Sequence, residues 1–260
     1  MGSKRRCAST ASESEPAADA RRAKRHRHKN PASAVADSTL RRTLHAAAKP
    51  LATVAAIADT HGVLDDELLA QLRNLGAVDH VLHMGDIGDA RASRLSGLAV
   101  LERLREFGDR STPVTAVAGN VDAPEKALMA TLPYSQLVDL AGWRLLLVHG
   151  HLDGLKISAH GVMDEGLVAR ASKERADVVL FGHSHKPLVA RRGDGAMPLP
   201  INPGEATWSV SRSSASSENL VLLNPGSAGP RRFKLPRCWF VLRLYKSRID
   251  IERKDIGEPK

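Results

Sequence analysis

Five apolar runs in this chain each break off at residues able to hold a metal ion, and that repetition constrains the fold more than any other feature. The clearest is "VVLFGHSHKP" (178–187), where four residues apolar enough for a buried strand lead into Gly182-His183-Ser184-His185. "LATVAAIADTHG" ends on Asp59-Thr60-His61, "VDHVLHMGD" on Gly85-Asp86 and "TPVTAVAGN" on Gly119-Asn120. "SQLVDLAGWRLLLVHGH" reads as two strands around an Ala-Gly turn, the second ending on His149-Gly150-His151. Short continuous apolar runs are the pattern of strands buried on both faces. Open α/β sheets carry their ligand-binding loops at the carboxyl ends of such strands.

Between the runs lie stretches with helical spacing. "DDELLAQLRNL" opens on Asp65-Asp66-Glu67, acidic residues suited to a helix N-terminus. Residues 90–107 and 157–175 also read as helical. "MPLPINPG", "LVLLNPGS" and "CWFVLRLYKSRIDIE" supply further strands. Strands alternating with helices and followed by hairpins predict a layered, mixed α/β domain.

Composition divides the chain in two. Of the net charge of +9, residues 1–50 carry +8, from 12 Lys/Arg against 4 Asp/Glu, so the remainder is close to neutral. Residues 1–49, rich in Ala, Ser, Arg and Lys without an apolar period, read as a disordered basic arm. Its "RRAKRHRHK" is a candidate for nuclear localisation, polyanion contact or organelle targeting, so nucleic-acid contact is expected through the arm alone. Residues 50–256 read as the globular domain. A serine-rich insertion is expected at about 205–219, between the two Asn-Pro-Gly copies at 202–204 and 224–226. No membrane span or secretory leader is expected, since no apolar run approaches the roughly 18 residues required. The two cysteines, Cys7 and Cys238, lie far apart, which fits structural thiols in an intracellular, reducing setting, cytoplasm or nucleus. Aromatic residues make up only 3%, too few for an extended base-stacking surface.

The strand ends together offer Asp59, His61, Asp86, Asn120, His149, His183 and His185, all oxygen or imidazole donors. Without thiolates, that set suits a hard or borderline divalent ion, manganese first, with iron, zinc, nickel and magnesium as alternatives. Seven donors are too many for one ion that must also hold a reactive water. They suit two ions about 3.5–4 Å apart with a carboxylate between them.

The series D-x-H, G-D, G-N-x-D, H and G-H-x-H resembles the calcineurin-like metallophosphoesterase superfamily. "GNVD", "VHGH" and "NPGSAGPR" make it similar, within that superfamily, to the YfcE-like phosphodiesterase branch. The resemblance covers residues 51–255. It implies a four-layer sandwich of two packed mixed β-sheets flanked by helices. It also implies that Asp59, His61 and His185 hold one ion, that Asn120, His149 and His183 hold the other, and that Asp86 bridges both. A shared hydroxide would then attack phosphorus in line with the leaving oxygen of a small phosphoester or phosphodiester. His151 is expected to line the site or touch phosphate, and Asp122 to orient Asn120 or a neighbouring ligand. His80 and His83 read as structural, and Asn224 to Ser227 as architectural.

One position departs from the pattern. Many phosphatases of this superfamily carry a histidine after the motif asparagine, where it can protonate the leaving group; here Val121 stands instead. Diesters and esters with good leaving groups are therefore expected as substrates. The alternative function is a non-catalytic protein-binding scaffold of the same fold, similar to a retromer subunit whose site residues are altered.

Overall fold

The structure, a computed structural model, describes residues 49–89, 93–108, 112–153, 156–158, 161–163, 165–192, 199–200, 206–212 and 220–257. All belong to the unit Lys49–Lys260. The basic arm lies outside them except for Lys49.

In chain order the first elements are β1 (Ala52–Ile57), α1 (Asp66–Asn74), β2 (His80–His83), α2 (Gly97–Arg105), β3 (Val114–Ala116) and α3 (Lys126–Met129). Then come β4 (Ser135–Leu140), β5 (Trp143–Val148), β6 (Lys156–Ser158), β7 (Gly161–Met163), α4 (Glu165–Lys173) and β8 (Val178–Leu180). The chain continues through β9 (Leu188–Arg191), β10 (Leu199–Pro200), β11 (Thr207–Ser211), β12 (Val221–Asn224), β13 (Arg237–Leu244) and β14 (Arg248–Ile256).

Two mixed sheets result, in strand order β11-β14-β13-β1-β2-β3 and β10-β9-β12-β8-β5-β4. In the first, β1, β2 and β3 run parallel; in the second, β5, β8 and β12 do. Side chains alternate across each strand. On β1, Val54 and Ala56 join a core shared with Leu145, Leu147 and Leu180 of the other sheet, whereas Ala55 and Ile57 lie under the helices. The Asp65 carboxylate accepts the Leu68 N–H at 3.1 Å and so caps α1, which buries Leu68, Leu69 and Leu72. On the far side, Leu167 and Ala171 of α4 cover Leu146, Val148, Val179 and Phe181. Helix, sheet, sheet and helix thus stack in four layers, and the core between the sheets is built from the apolar runs.

Two helix boundaries differ from the sequence expectation. The helix foreseen over 90–107 begins only at Gly97, because Ser96 caps it by accepting the Ala99 N–H. Leu95 N–H donates instead to Gly62 O, and the Arg94 guanidinium donates to His61 O, so these residues hold the loop after β1. Residues 157–175 are not one helix. Lys156–Ser158 and Gly161–Met163 pair as a two-stranded ribbon, and the helix is confined to Glu165–Lys173. Glycine at 161 disfavours a helix interior, and Ile157 and Val162 suit strands.

Part of the expected insertion is also a strand. Residues 207–211 form β11 on the edge of the first sheet, because Trp208 and Val210, two apart, both turn toward the inter-sheet core. Residues 213–219 lie outside the described residues. Among the described residues no helix is long and apolar enough to cross a membrane.

Cys238 is a free, buried thiol on β13, donating to Pro225 O, and burial pushes its pKa up to about 12. The thiolate is the reactive form, so a raised pKa suppresses reaction at every pH below it. In a Cys7→Ser chain, labelling of Cys238 by a thiol reagent at pH 8 is expected to be about 10³-fold slower folded than in denaturant. Equal rates would place the sulfur at the surface.

Candidate metal centre

Each donor named from the sequence leaves the C-terminal end of a parallel strand. Asp59 and His61 follow β1, Asp86 follows β2, Asn120 follows β3, His149 follows β5, and His183 and His185 follow β8. Backbone hydrogen bonds continue between the loops beyond the sheets: Asp59 N–H to Gly85 O (3.1 Å), His61 N–H to Asp86 O (2.9 Å) and Gly182 N–H to His149 O (3.2 Å).

The side chains converge in two groups. Asp59, His61, Asp86 and His185 each offer one ligand atom within 4.8 Å of the others. The His61 and His185 rings stack with centroids 5.1 Å apart, and their Nε2 atoms lie 3.4 Å apart. In the second group, Asn120 Oδ1 is 3.1 Å from both His149 Nε2 and His183 Nδ1. Asp86 belongs to both groups, with Oδ2 3.8 Å from His61 Nε2 and Oδ1 3.3 Å from His149 Nε2.

Each of these atoms can turn a lone pair toward a cation once any proton on it is released. His149 Nδ1–H donates to Met84 O at 2.7 Å, which aims Nε2 at Asp86 and Asn120. Burial opposes a charge on this ring, but the hydrogen bond to Asp86 and the Asp59 and Asp86 charges outweigh it and raise its pKa. Without a metal, Nε2–H therefore donates to Asp86, a proton that a cation would displace. Metal-binding histidines are fixed in this way, by giving the other ring proton to a carbonyl. Asp59 is fully buried, and its Oδ2 has no hydrogen-bond partner. Burial pushes its pKa up to about 8, with the Asp86 charge adding to the rise against the opposing pull of His149. For Asp86 burial works upward too, but the hydrogen bond and charge of His149 and the Val121 N–H outweigh it and hold the pKa at about 2. Burial lowers the pKa of His61, His183 and His185, the last to about 4, so these rings are neutral ligands at pH 7. A buried carboxylate oxygen without a donor, beside one amide oxygen and two imidazoles able to turn lone pairs inward, fits divalent cations, which would neutralise the buried carboxylates.

The backbone bends to reach this arrangement. Asp59, His61, Asp86, His183 and His185 all have φ between 45° and 64°, a region costly for non-glycine residues. Neighbouring groups hold them there. Asp122 accepts the N–H groups of Ile87, Gly88 and Gly119 at 2.8, 3.1 and 2.8 Å, tying the Asp86 loop to the Asn120 loop. Gly119 is required at that junction, since a Cβ there would lie 2.1 Å from Asp86 Oδ1. The Asn224 amide donates to Gly182 O and to Ser184 Oγ, both at 2.9 Å, and so fixes the loop that carries His183 and His185. Three residues on, Ser227 Oγ donates to Asp59 O, and Gly229 N–H donates to the same oxygen. A Cβ on Gly229 would meet Thr60 O at 2.1 Å. Beneath the loop, His83 Nε2 bonds Thr60 Oγ1, whose hydroxyl donates to Ile87 O. His80 bonds Thr115 Oγ1, away from the donor groups.

His151 lies beside the second group, its ring 5.3 Å from His149 and 6.3 Å from His183. Tyr134, which no motif singles out, is half exposed and 6.1 Å from His151. Also illegible was Arg237, almost fully buried, which donates to Ala228 O, Gly229 O, Gly257 O and the Asp65 carboxylate beneath the Ser227–Pro230 turn. A buried arginine gives no periodic signal; only its sheltering carbonyls reveal it.

Asp59 makes the chelated protein pH-sensitive. A carboxyl whose folded pKa is raised contributes stability below its unfolded pKa, near 3.8, and that stability is lost as pH rises through about 8. Stripped of metal at pH 8, Asp59→Asn is therefore expected to be more stable than wild type by about 1–3 kcal/mol, the usual cost of an unpaired buried group. With Mn²⁺ added the order should reverse, because only wild type keeps the ligand. Denaturant melts with and without chelator check both signs; an apo variant less stable than apo wild type would contradict the burial argument.

Residues 53–217 match the family described as the calcineurin-like phosphoesterase superfamily domain. The chain is 29% identical over 167 residues to phosphodiesterase YfcE of Escherichia coli (strain K12), covering 58% of this chain and 83% of that protein. It is 30% identical over 169 residues to the Bacillus subtilis (strain 168) protein named "Probable metallophosphoesterase YsnB", covering 65% and 83%. A metallophosphoesterase from Sphaerobacter thermophilus shares the fold, with a TM-score of 0.51 and 19% identity over 79% of this chain and 89% of that one. With its family pattern matched over more than half its length and its donors gathered at one end of two sheets, the chain belongs to the calcineurin-like phosphoesterase superfamily.

Proposed function

We propose that this chain is a two-metal phosphodiesterase. One ion would be held by Asp59, His61 and His185, the other by Asn120, His149 and His183, with Asp86 shared. The observation that carries the reading is the pair of Asp86 oxygens, Oδ2 facing His61 and Oδ1 facing His149, as a bridging carboxylate requires. Two divalent ions there, manganese before iron, zinc, nickel or magnesium, would activate a water for attack at neutral pH and neutralise the phosphoryl oxygens.

The protein's own groups set the rest of the chemistry. His149, with Nδ1–H committed to Met84 O, can offer only Nε2, so its orientation is fixed before any ligand arrives. Asp122 and Asn224 act as positioning residues, since each ties backbone of two donor-bearing loops or holds one of them. His151 and Tyr134 flank the second group, where His151 can contact a phosphoryl oxygen. At Val121 only the peptide N–H takes part, donating to Asp86 Oδ1 at 2.8 Å. No side-chain acid stands at that position to protonate a departing alkoxide, help often worth about 10²–10⁴-fold. A protein-binding scaffold would have no use for seven convergent donors or for strained backbone at five of them.

Two ions per chain are expected in the Mn²⁺-loaded protein, with hydrolysis of bis(p-nitrophenyl) phosphate. Asp86→Ala should lower that activity by more than about 10²-fold, because even partners one bond removed from a metal cost 10–100-fold. An aryl diester should be cleaved faster than a simple alkyl monoester. Bound metal without hydrolysis of any diester would favour the scaffold, and an alkyl monoester cleaved as fast as the aryl diester would refute the role given to Val121.

A further inference from the structure

The brace that fixes Asp59 continues into a turn beside the His61–His185 side of the centre. Leu235 N–H donates to Arg232 O at 2.9 Å, closing a four-residue turn whose central pair, Phe233 and Lys234, has φ of 53° and 60°. Two left-handed residues in succession are the signature of a type I′ turn, which favours Asn-Gly. Phenylalanine is an outlier in that region. Burial does not offset the strain, since Phe233 is 68% exposed, more than any other large apolar side chain among the described residues. Lys186, which directly follows His185, sets its ammonium 5.2 Å from the centre of the Phe233 ring. Arg231 and Arg232 lead directly into the ring in the chain, and Lys234 follows it. A strained, exposed ring flanked by cations, next to a phosphoester centre, matches an arm that is both aromatic and anionic.

We propose that Phe233 and Lys186 form a platform for the nucleotide arm of a phosphodiester substrate. The base stacks on Phe233, and the Lys186 ammonium beside the ring supplies positive charge between it and the scissile phosphate. This assignment rests on the phosphodiesterase reading above. The low aromatic content rules out a surface that stacks many bases, but one ring serves one arm. The turn carries this ring at its apex, so the base would lie at the rim while the scissile phosphate reaches the metal donors.

Two p-nitrophenyl diesters with the same leaving group test the platform in the full, Mn²⁺-loaded chain, one built on thymidine 5′-phosphate and the other on methyl phosphate. Phe233→Ala is expected to raise KM for the thymidine ester about tenfold, the scale of one base–aromatic stack, and to leave kcat and the methyl ester unchanged. Phe233→Trp should keep the wild-type KM. Equal effects on the two esters, or no effect on either, would overturn the platform. If wild type cleaves neither ester, the phosphodiesterase reading fails, and calorimetric binding of AMP then decides the platform alone. Binding weakened about tenfold by Phe233→Ala supports it; binding that is unchanged, or absent in wild type, overturns it.

Discussion

Lone pairs forced together in a buried volume repel one another, and in this protein that repulsion is built in. Asp59 and Asp86, the Asn120 amide oxygen and Nε2 of His149 all face a common space. No donor among the described residues neutralises Asp59 Oδ2. Such an arrangement is stable only where the surrounding fold fixes every member or where a cation joins them. The remainder of the structure serves that end: parallel strands aim the donors, and hydrogen bonds around them prevent the loops from relaxing outward.

Each group of donors draws on both sheets, so something must hold the sheets in register at the site. The connection from β12 to β13 does this, because it leaves one sheet and enters the other. Asn224, the last residue of β12, grips the loop bearing His183 and His185, while Ser227 and Gly229 grip the carbonyl of Asp59. Arg237, on the strand that follows, takes up the carbonyls of Ala228 and Gly229 and anchors them to the cap of α1 through Asp65. This connection therefore sets the distance between the loop bearing His185 and the loop bearing Asp59. The chemistry of buried arginine suits this task, since its planar fork satisfies several carbonyls at fixed angles.

Much of this was legible in the sequence. Continuous apolar runs gave the buried strands, and the polar residues ending them gave the donors, because both signals are local in the chain. The helix boundaries failed where tertiary ties overrode local pattern: Arg94 and Leu95 are held by the loop after β1, and Gly161 interrupts an apparently helical stretch. β11 was hidden in a serine-rich segment because only two residues, Trp208 and Val210, reach the core. Arg237, Tyr134 and Phe233 were missed since their significance lies in which residues the fold brings beside them. "RRFK" did carry a trace, as a lone aromatic among cations in a chain poor in aromatics.

Backbone strain at the centre and in the turn beside it is held differently, and the contrast separates their roles. At Asp59, His61 and Asp86 the left-handed backbone, worth about 1–3 kcal/mol per residue, is held by tertiary hydrogen bonds, and the loop of His183 and His185 is held by the His183 N–H on Asp59 Oδ1 and by the Asn224 amide. That is preorganisation: the donors wait in position, so binding energy is not spent on ordering them. At Phe233 and Lys234 the described hydrogen bonds are local, from Leu235 N–H to Arg232 O and from the Arg231 guanidinium to Lys234 O. Strain there is held by the turn itself and leaves an apolar ring facing water. A ligand stacked on that ring would remove exposed apolar surface in addition to adding contacts, which gives the platform a driving force independent of the metals. The centre thus fixes which bond can break, and the turn beside it has the means to choose whose bond it is.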